Sequence, residues 1–204
     1  MGNKVKNYFN SVAKYYHEKS HSGVWMLARS AELNAFRSLN FNFNQDSIIL
    51  DLGCGAGYYS KYLIENHQSQ IYSYDFSGEM LKQLQGKNIN TFEVNLEMIT
   101  EDQVPFFEYA LAMGSLEFVN NLENLMHVLR LKAKKSSHVI ILVPQDGIIG
   151  FLYRVVHKTW GCPSIKRSST DYENIFAEHS FRLLKKENVG MVSQLLVFEK
   201  VISE

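Results

Sequence analysis

The sequence predicts an α/β fold, a largely parallel sheet with helices on both faces, and three observations carry that prediction. Short apolar runs rich in branched residues alternate with helical periodicities from Ser47 to Val143. Strands joined through crossover helices of about a dozen residues can pair in parallel. The first run, Ser47-Ile48-Ile49-Leu50-Asp51-Leu52, stops at glycines that begin with Gly53. In such sheets ligands bind at the carboxyl ends of the strands. At the end of the chain, Phe181 to Lys185 and Met191 to Val201 are strand-like stretches close enough for an antiparallel hairpin.

The remaining elements follow in order. Val5, Tyr8, Phe9, Val12 and Tyr16 recur at three- and four-residue steps and share one helix face. A second helix is expected from Trp25 to Leu39. After the first strand, the glycine run turns the chain into a helix over Tyr58 to Asn66. Gln70 to Tyr74 reads as strand, Gly78 to Leu84 as helix, and Asn90 to Val94 and Tyr109 to Met113 as strands. Asn121 to Lys132 is helical, and Ser137 to Val143 is the clearest buried strand. Beyond Pro144, the residues Ile148, Ile149, Phe151, Leu152, Val155, Val156 and Trp160 form a broad apolar helical face that ends near Gly161-Cys162-Pro163. A last helix is expected over Ser169 to Glu178.

A chain of 204 residues, 46% of them hydrophobic, holds one core, so residues 1–204 are read as one domain. Its 21 basic and 21 acidic residues cancel, which leaves no net field for phosphate backbones, and nucleic acid is not an expected partner. Cys54 and Cys162 are too few for a disulfide framework or a zinc cluster, and no signal peptide is read at the start. A cytoplasmic setting and no bound metal are therefore expected. No apolar run approaches the roughly 20 residues of a membrane-spanning helix.

The informative segment is Asp51-Leu52-Gly53-Cys54-Gly55-Ala56-Gly57. Glycines at every second position let a ligand approach the backbone closely. Asp75 ends the next strand about 20 residues later, where a carboxylate can accept ribose hydroxyls. The third glycine comes one residue too early for the dinucleotide pattern. Asp51 also places negative charge beside the loop, unfavourable for a pyrophosphate and favourable for a cation. Lys61 does not follow the spacing of a phosphate-binding loop, so ATP is not expected.

With these motifs the sequence resembles the class I S-adenosylmethionine-dependent methyltransferases from about Tyr8 to Val201. The resemblance implies a Rossmann-like, doubly wound sheet of seven strands, mostly parallel with an antiparallel last strand. It implies S-adenosyl-L-methionine as cofactor and S-adenosyl-L-homocysteine as product. Its glycine motif is similar to Asp51, Gly53, Cys54, Gly55 and Gly57, and its ribose acid to Asp75 with Phe76 following. The segment at the adenine edge is similar to Val94-Asn95-Leu96, with Asn95 where an acid is common. Met113-Gly114-Ser115 resembles the stretch beneath the methionine part of the cofactor. Phe118 stands where relatives often carry a His. In this family the N-terminal helices, here residues 1–40, often cover the cofactor, which brings in Tyr16 and Arg29.

Methyl transfer from a sulfonium requires alignment and exclusion of water, and a base only when the acceptor must lose a proton. Candidates for that base are His157, Glu117 and His21. Cys54 fills a position that needs only a small side chain and is not read as a nucleophile. Neither the Pro-Cys order of the cytosine enzymes nor an Asn/Asp-Pro-Pro-aromatic motif is present, which points to a small-molecule acceptor. The segment at about 145–170 is expected as an inserted helical lid whose apolar face suits an apolar or aromatic acceptor. Its Arg154, Lys158, Lys166 and Arg167 fit an anionic group or peripheral contact with a membrane surface. The alternatives are an NAD(P)-dependent oxidoreductase, a non-catalytic S-adenosylmethionine-binding module, and methylation of RNA or protein. The acceptor atom and the oligomeric state stay open.

Overall fold

The computed structural model describes residues 2–20 and 23–201, with side chains described for residues 4–15 and 26–201. Helices α1 (Gly2–Ser20) and α2 (Gly23–Ser38) precede strand β1 (Ile48–Leu52). The chain then alternates through α3 (Tyr58–His67), β2 (Gln70–Asp75), α4 (Gly78–Leu81), β3 (Asn90–Glu93), β4 (Phe107–Met113), α5 (Glu123–Lys132) and β5 (Ala133–Pro144). It ends with α6 (Gly147–Thr159), α7 (Ser169–Glu178), β6 (Phe181–Val189) and β7 (Ser193–Lys200).

The seven strands form one sheet in the order β3-β2-β1-β4-β5-β7-β6. β1 to β5 pair in parallel, and β7 runs antiparallel to both of its neighbours. The chain winds outward from β1 to β3 and then returns to β4 on the other side of β1. The carboxyl ends of β1 and β4 therefore flank a topological switch point, where a crevice opens.

Burial explains why the central strands read as near-continuous apolar runs, since both of their faces are covered. On one face Leu50, Ala110 and Ile141 pack with Leu125, Met126 and Leu129 of α5 and with Tyr172 and Phe176 of α7. On the other, Ile49, Leu111 and Ile140 meet Phe36 of α2 and Tyr59 and Leu63 of α3. Phe176 stacks on Phe198 of β7 with ring centroids 4.1 Å apart.

Three boundaries differ from the sequence expectation. β5 starts at Ala133, before the apolar run, because backbone pairing of Phe107 with Ala133 and a Ser137 Oγ bond to the Phe107 carbonyl (2.7 Å) extend it past a register shift. β6 runs on to Val189 as an edge strand, held by pairing with β7 along its length. Met191 falls in the turn, and β7 begins at Ser193.

Candidate active site

The loop after β1 is pinned to the neighbouring strand. The N–H groups of Gly53 and Cys54 both donate to the Tyr74 carbonyl, at 2.7 and 3.0 Å. Beneath the loop, Asp51 Oδ2 accepts from Ser60 Oγ at 2.5 Å, and the same hydroxyl lies 2.7 Å from Ser73 Oγ. One residue of α3 thus ties that helix to β1 and β2. Asp51 is 2% exposed, and burial, then the nearby Asp75 charge, push its carboxyl up to about 6 against the Ser60 bond.

Asp75 is the clamp of the site. Its Oδ2 accepts from the Gly55 N–H and its Oδ1 from the Ser77 N–H, each at 2.8 Å. It is 5% exposed, and burial raises it to about 6 in spite of those bonds. Gly55, at φ +54°, has nothing within 4 Å of where a Cβ would stand, so the loop turns a bare edge outward there. Gly57 serves differently. A Cβ on it would lie 2.1 Å from Leu84 Cδ2, and its φ of +74° opens α3.

These groups edge a cavity of about 1410 Å³. It is larger than the roughly 300–1,000 Å³ typical of a single small-ligand site. Its walls include Asp51, Gly53, Cys54, Gly55, Asp75, Phe76, Asn95, Leu96, Met113, Gly114, Ser115 and Arg29, as well as Glu117 and His157. Of the residues singled out from the sequence, Gly57 is not brought to the cavity, because it packs on Leu84 instead. The Tyr16 side chain and His21 lie outside the described residues. Asn95 Oδ1 accepts from the Glu97 N–H at 3.1 Å and so caps a short turn. Ser115 Oγ donates to the Leu52 carbonyl at 2.6 Å, joining the ends of β4 and β1. Burial and the Asp51 and Asp75 charges push the Cys54 thiol well above its usual range, which does not suit a nucleophile.

Arg29 is engaged by its own helix, 3.2 Å from Glu32 Oε2, with its guanidinium 5.8 Å from the centre of the Tyr58 ring. Glu32 was not apparent from the sequence. It is buried, and its Oε1 accepts from Ser193 Oγ at 3.1 Å.

At the other end of the cavity, a turn after β4 carries Glu117, 2% exposed. Its Oε1 accepts from the Tyr153 hydroxyl at 3.1 Å, while Oε2 is buried with no partner among the described residues. Burial lifts its carboxyl to about 7. His157 Nδ1 is likewise buried and unpartnered, and burial pushes this imidazole down to about 4. Aromatic rings join the two ends: Phe76 to Phe9 (6.0 Å), Phe9 to Phe118 (5.5 Å), Phe118 to His157 (5.8 Å), then His157 to Tyr153 (4.1 Å) and Trp160 (5.5 Å). Tyr153 and His157 stand four apart on α6, the one sequence signal that places them on a common helix face.

Of the apolar face expected from the sequence, Trp160 lines the cavity, but most of that face is turned away from it. Tyr153 and His157 point inward, whereas Ile148, Phe151, Leu152, Val155 and Val156 are exposed. Buried Gly150, packed against the Gln145 carbonyl, and the Tyr153–Glu117 bond fix this orientation.

Fold and site together define a Rossmann-like α/β protein with a glycine-edged pocket and a carboxylate at the end of β2. The family model described as a methyltransferase domain matches residues 27–186, and the chain belongs to that family. Among solved structures it is similar to magnesium protoporphyrin IX methyltransferase from Synechocystis PCC 6803 with bound SAH, at TM-score 0.76 and 14% identity over 98% of this chain and 100% of that one. An S-adenosylmethionine-dependent methyltransferase from Mesorhizobium loti gives TM-score 0.71 and 16% identity over 83% and 98%. A 1,6-didemethyltoxoflavin-N1-methyltransferase from Burkholderia thailandensis, with that compound and S-adenosylhomocysteine bound, gives 0.68 and 13% over 98% and 89%. Comparison with curated proteins found no match. Among the described residues, no helix is long and apolar enough to cross a membrane.

Proposed function

We propose that this chain transfers the methyl group of S-adenosylmethionine to a small apolar or aromatic acceptor and releases S-adenosylhomocysteine. The observation that carries the reading is the Asp75 carboxylate, held on the cavity wall by the Gly55 and Ser77 N–H groups. A carboxylate has about four lone-pair sites. The backbone N–H groups take only part of these, which leaves capacity to accept from the hydroxyls of a ribose. Asp51, beside the glycine loop, sets a second negative charge that favours the donor's cationic amino-acid end. The open space at Gly55 admits the donor against the backbone.

When bound, the donor supplies an electrophilic methyl that passes in line to the acceptor as its sulfonium becomes a thioether. The chain's own part is alignment and exclusion of water. The rings of Phe9, Phe118, Tyr153 and Trp160 suit a flat, apolar acceptor. Glu117, with its carboxyl raised to about 7, is the better suited to take a proton from it, and His157, pushed down to about 4, is the weaker base. In this reading residues 1–40 cover the donor and residues 145–170 form the lid. The ring compounds named for two of the similar structures support a small-molecule acceptor. Two free cysteines accord with the cytoplasmic setting we expect.

Thermal unfolding with S-adenosylmethionine, S-adenosylhomocysteine and NAD tests the donor. A ligand at 100 times its dissociation constant stabilises by about 2.7 kcal/mol, which for this size raises the midpoint by roughly 5 to 10 °C. We expect the rise with the two sulfur compounds alone. A rise with NAD alone would replace the proposal by a nicotinamide enzyme.

A further inference from the structure

We propose that the outer face of α6 docks on the surface of an anionic phospholipid bilayer. Around this helix the sides divide in an unusual way. Gly150, Tyr153 and His157 turn inward, and the arc facing solvent is formed by Ile148 (79% exposed), Phe151 (59%), Leu152 (55%), Val155 and Val156. A surface helix normally turns polar residues to water. Contiguous exposed apolar area of this kind marks a contact site.

Charge identifies the occupant. α6 contains no acidic residue, and Arg154 and Lys158 flank the apolar arc. Between α6 and the following loop lies a shallow cavity of about 600 Å³ whose lining combines Phe151 and Val155 with Arg154, Lys158 and Lys166. Among the described residues no carboxylate stands within ion-pair distance of these three cations. The neighbouring acids make their bonds to other groups: Asp146 accepts from Ser169, Glu173 pairs with Lys186, and Asp171 caps α7 at Ser168, with Arg167 and Lys166 adding only the smallest of the influences on its carboxyl. Two copies meeting through this face would set like charges together without compensation. Phosphate headgroups supply the missing anions while the apolar arc enters the acyl boundary. At 13 residues α6 spans about 20 Å, too short to cross a hydrocarbon core, so it lies in the interface plane. The inner face of the same helix lines the main cavity, which would place the acceptor site next to the lipid.

The test is co-sedimentation of the full chain with vesicles of phosphatidylcholine alone and of phosphatidylcholine mixed with phosphatidylglycerol at about seven to three. We expect at least tenfold stronger binding to the anionic vesicles, weakened by salt. Each cation near such a surface is worth about fivefold in partitioning. Lys158→Glu with Lys166→Glu should therefore lower binding more than tenfold, and Phe151→Ser with Leu152→Ser should abolish it. Because these side chains face solvent, the variants should keep the wild-type unfolding midpoint. Equal binding to both vesicle types, none to either, or a dimer in light scattering that the serine variant dissolves would overturn the proposal. The proposal does not rest on methyl transfer. The shift of the unfolding midpoint with S-adenosylmethionine, measured on the same variants, reports on that reading separately.

Discussion

Asp51, Asp75 and Glu117 are buried acids whose proton affinities rise on folding, and this fixes the sign of their pH effects. The two aspartates titrate near 6 in the folded chain against 3.8 as free groups. The folded state then holds protons that the unfolded state has lost. The stability these groups contribute is complete below about pH 4 and is lost as pH rises through about 6. A donor with an ammonium and ribose hydroxyls selects the ionised forms, so its binding has the opposite slope. We expect the rise in unfolding midpoint with S-adenosylmethionine to be several degrees larger at about pH 7.5 than at about pH 5. An equal rise would remove both aspartates from the donor site. Glu117 follows the same sign from 4.5 to about 7. An uncharged amide at this position mimics the protonated carboxyl, so Glu117→Gln should unfold roughly 5 °C above the wild type at about pH 8, and the gap should close near pH 5. A gap independent of pH would mean that burial does not raise this carboxyl.

At the scale of elements, the β1–α3 loop shows how similar glycines divide their tasks. Gly55 looks into open space and Gly57 into Leu84, although both have positive φ. Adding a methyl at each position separates binding from folding. Gly57→Ala should lower stability by about 2 kcal/mol or more, through overpacking added to backbone strain. Gly55→Ala meets only the strain in the free protein, about 1 kcal/mol, and it should weaken S-adenosylmethionine at least tenfold because its Cβ enters the cavity. Chemical denaturation and calorimetric titration of the two variants would show this crossed pattern, and weakened donor binding in neither would move the donor away from the loop. The spacing of glycines was legible in the sequence, but their directions were not. Direction depends on Leu84, 27 positions beyond Gly57, and on the pairing of β2 with β1 that carries it there. α6 makes the same point. Its apolar periodicity is plain, yet the side turned inward is set by Gly150 against Gln145 and by Tyr153 bonding to Glu117.

For the molecule as a whole, local signals sufficed where the physics is local. Alternation of buried strands and helices, a strand stopped by glycines and a hairpin at the end are patterns within a few residues. They determine an α/β sheet, its antiparallel last strand, and the glycine loop with Asp51 and Asp75. β6 exceeded its apolar signal because an edge strand is held by backbone pairing, which any side chain allows. At the far end of the cavity Glu117 and His157 could be named from the sequence as candidates, but no local pattern joined Glu117 to the α6 pair. Glu117 and Tyr153 are 36 positions apart, Glu32 and Ser193 are 161 apart, and the ring series from Phe76 to Trp160 draws on α1, a turn after β4 and α6. The sequence by itself determined the class of fold and the glycine loop with its two aspartates, because strand periodicity and loop spacing are properties of contiguous chain. Only the tertiary structure decided which groups share the far end of the cavity and which face of α6 meets solvent, because packing brings together residues that no spacing relates.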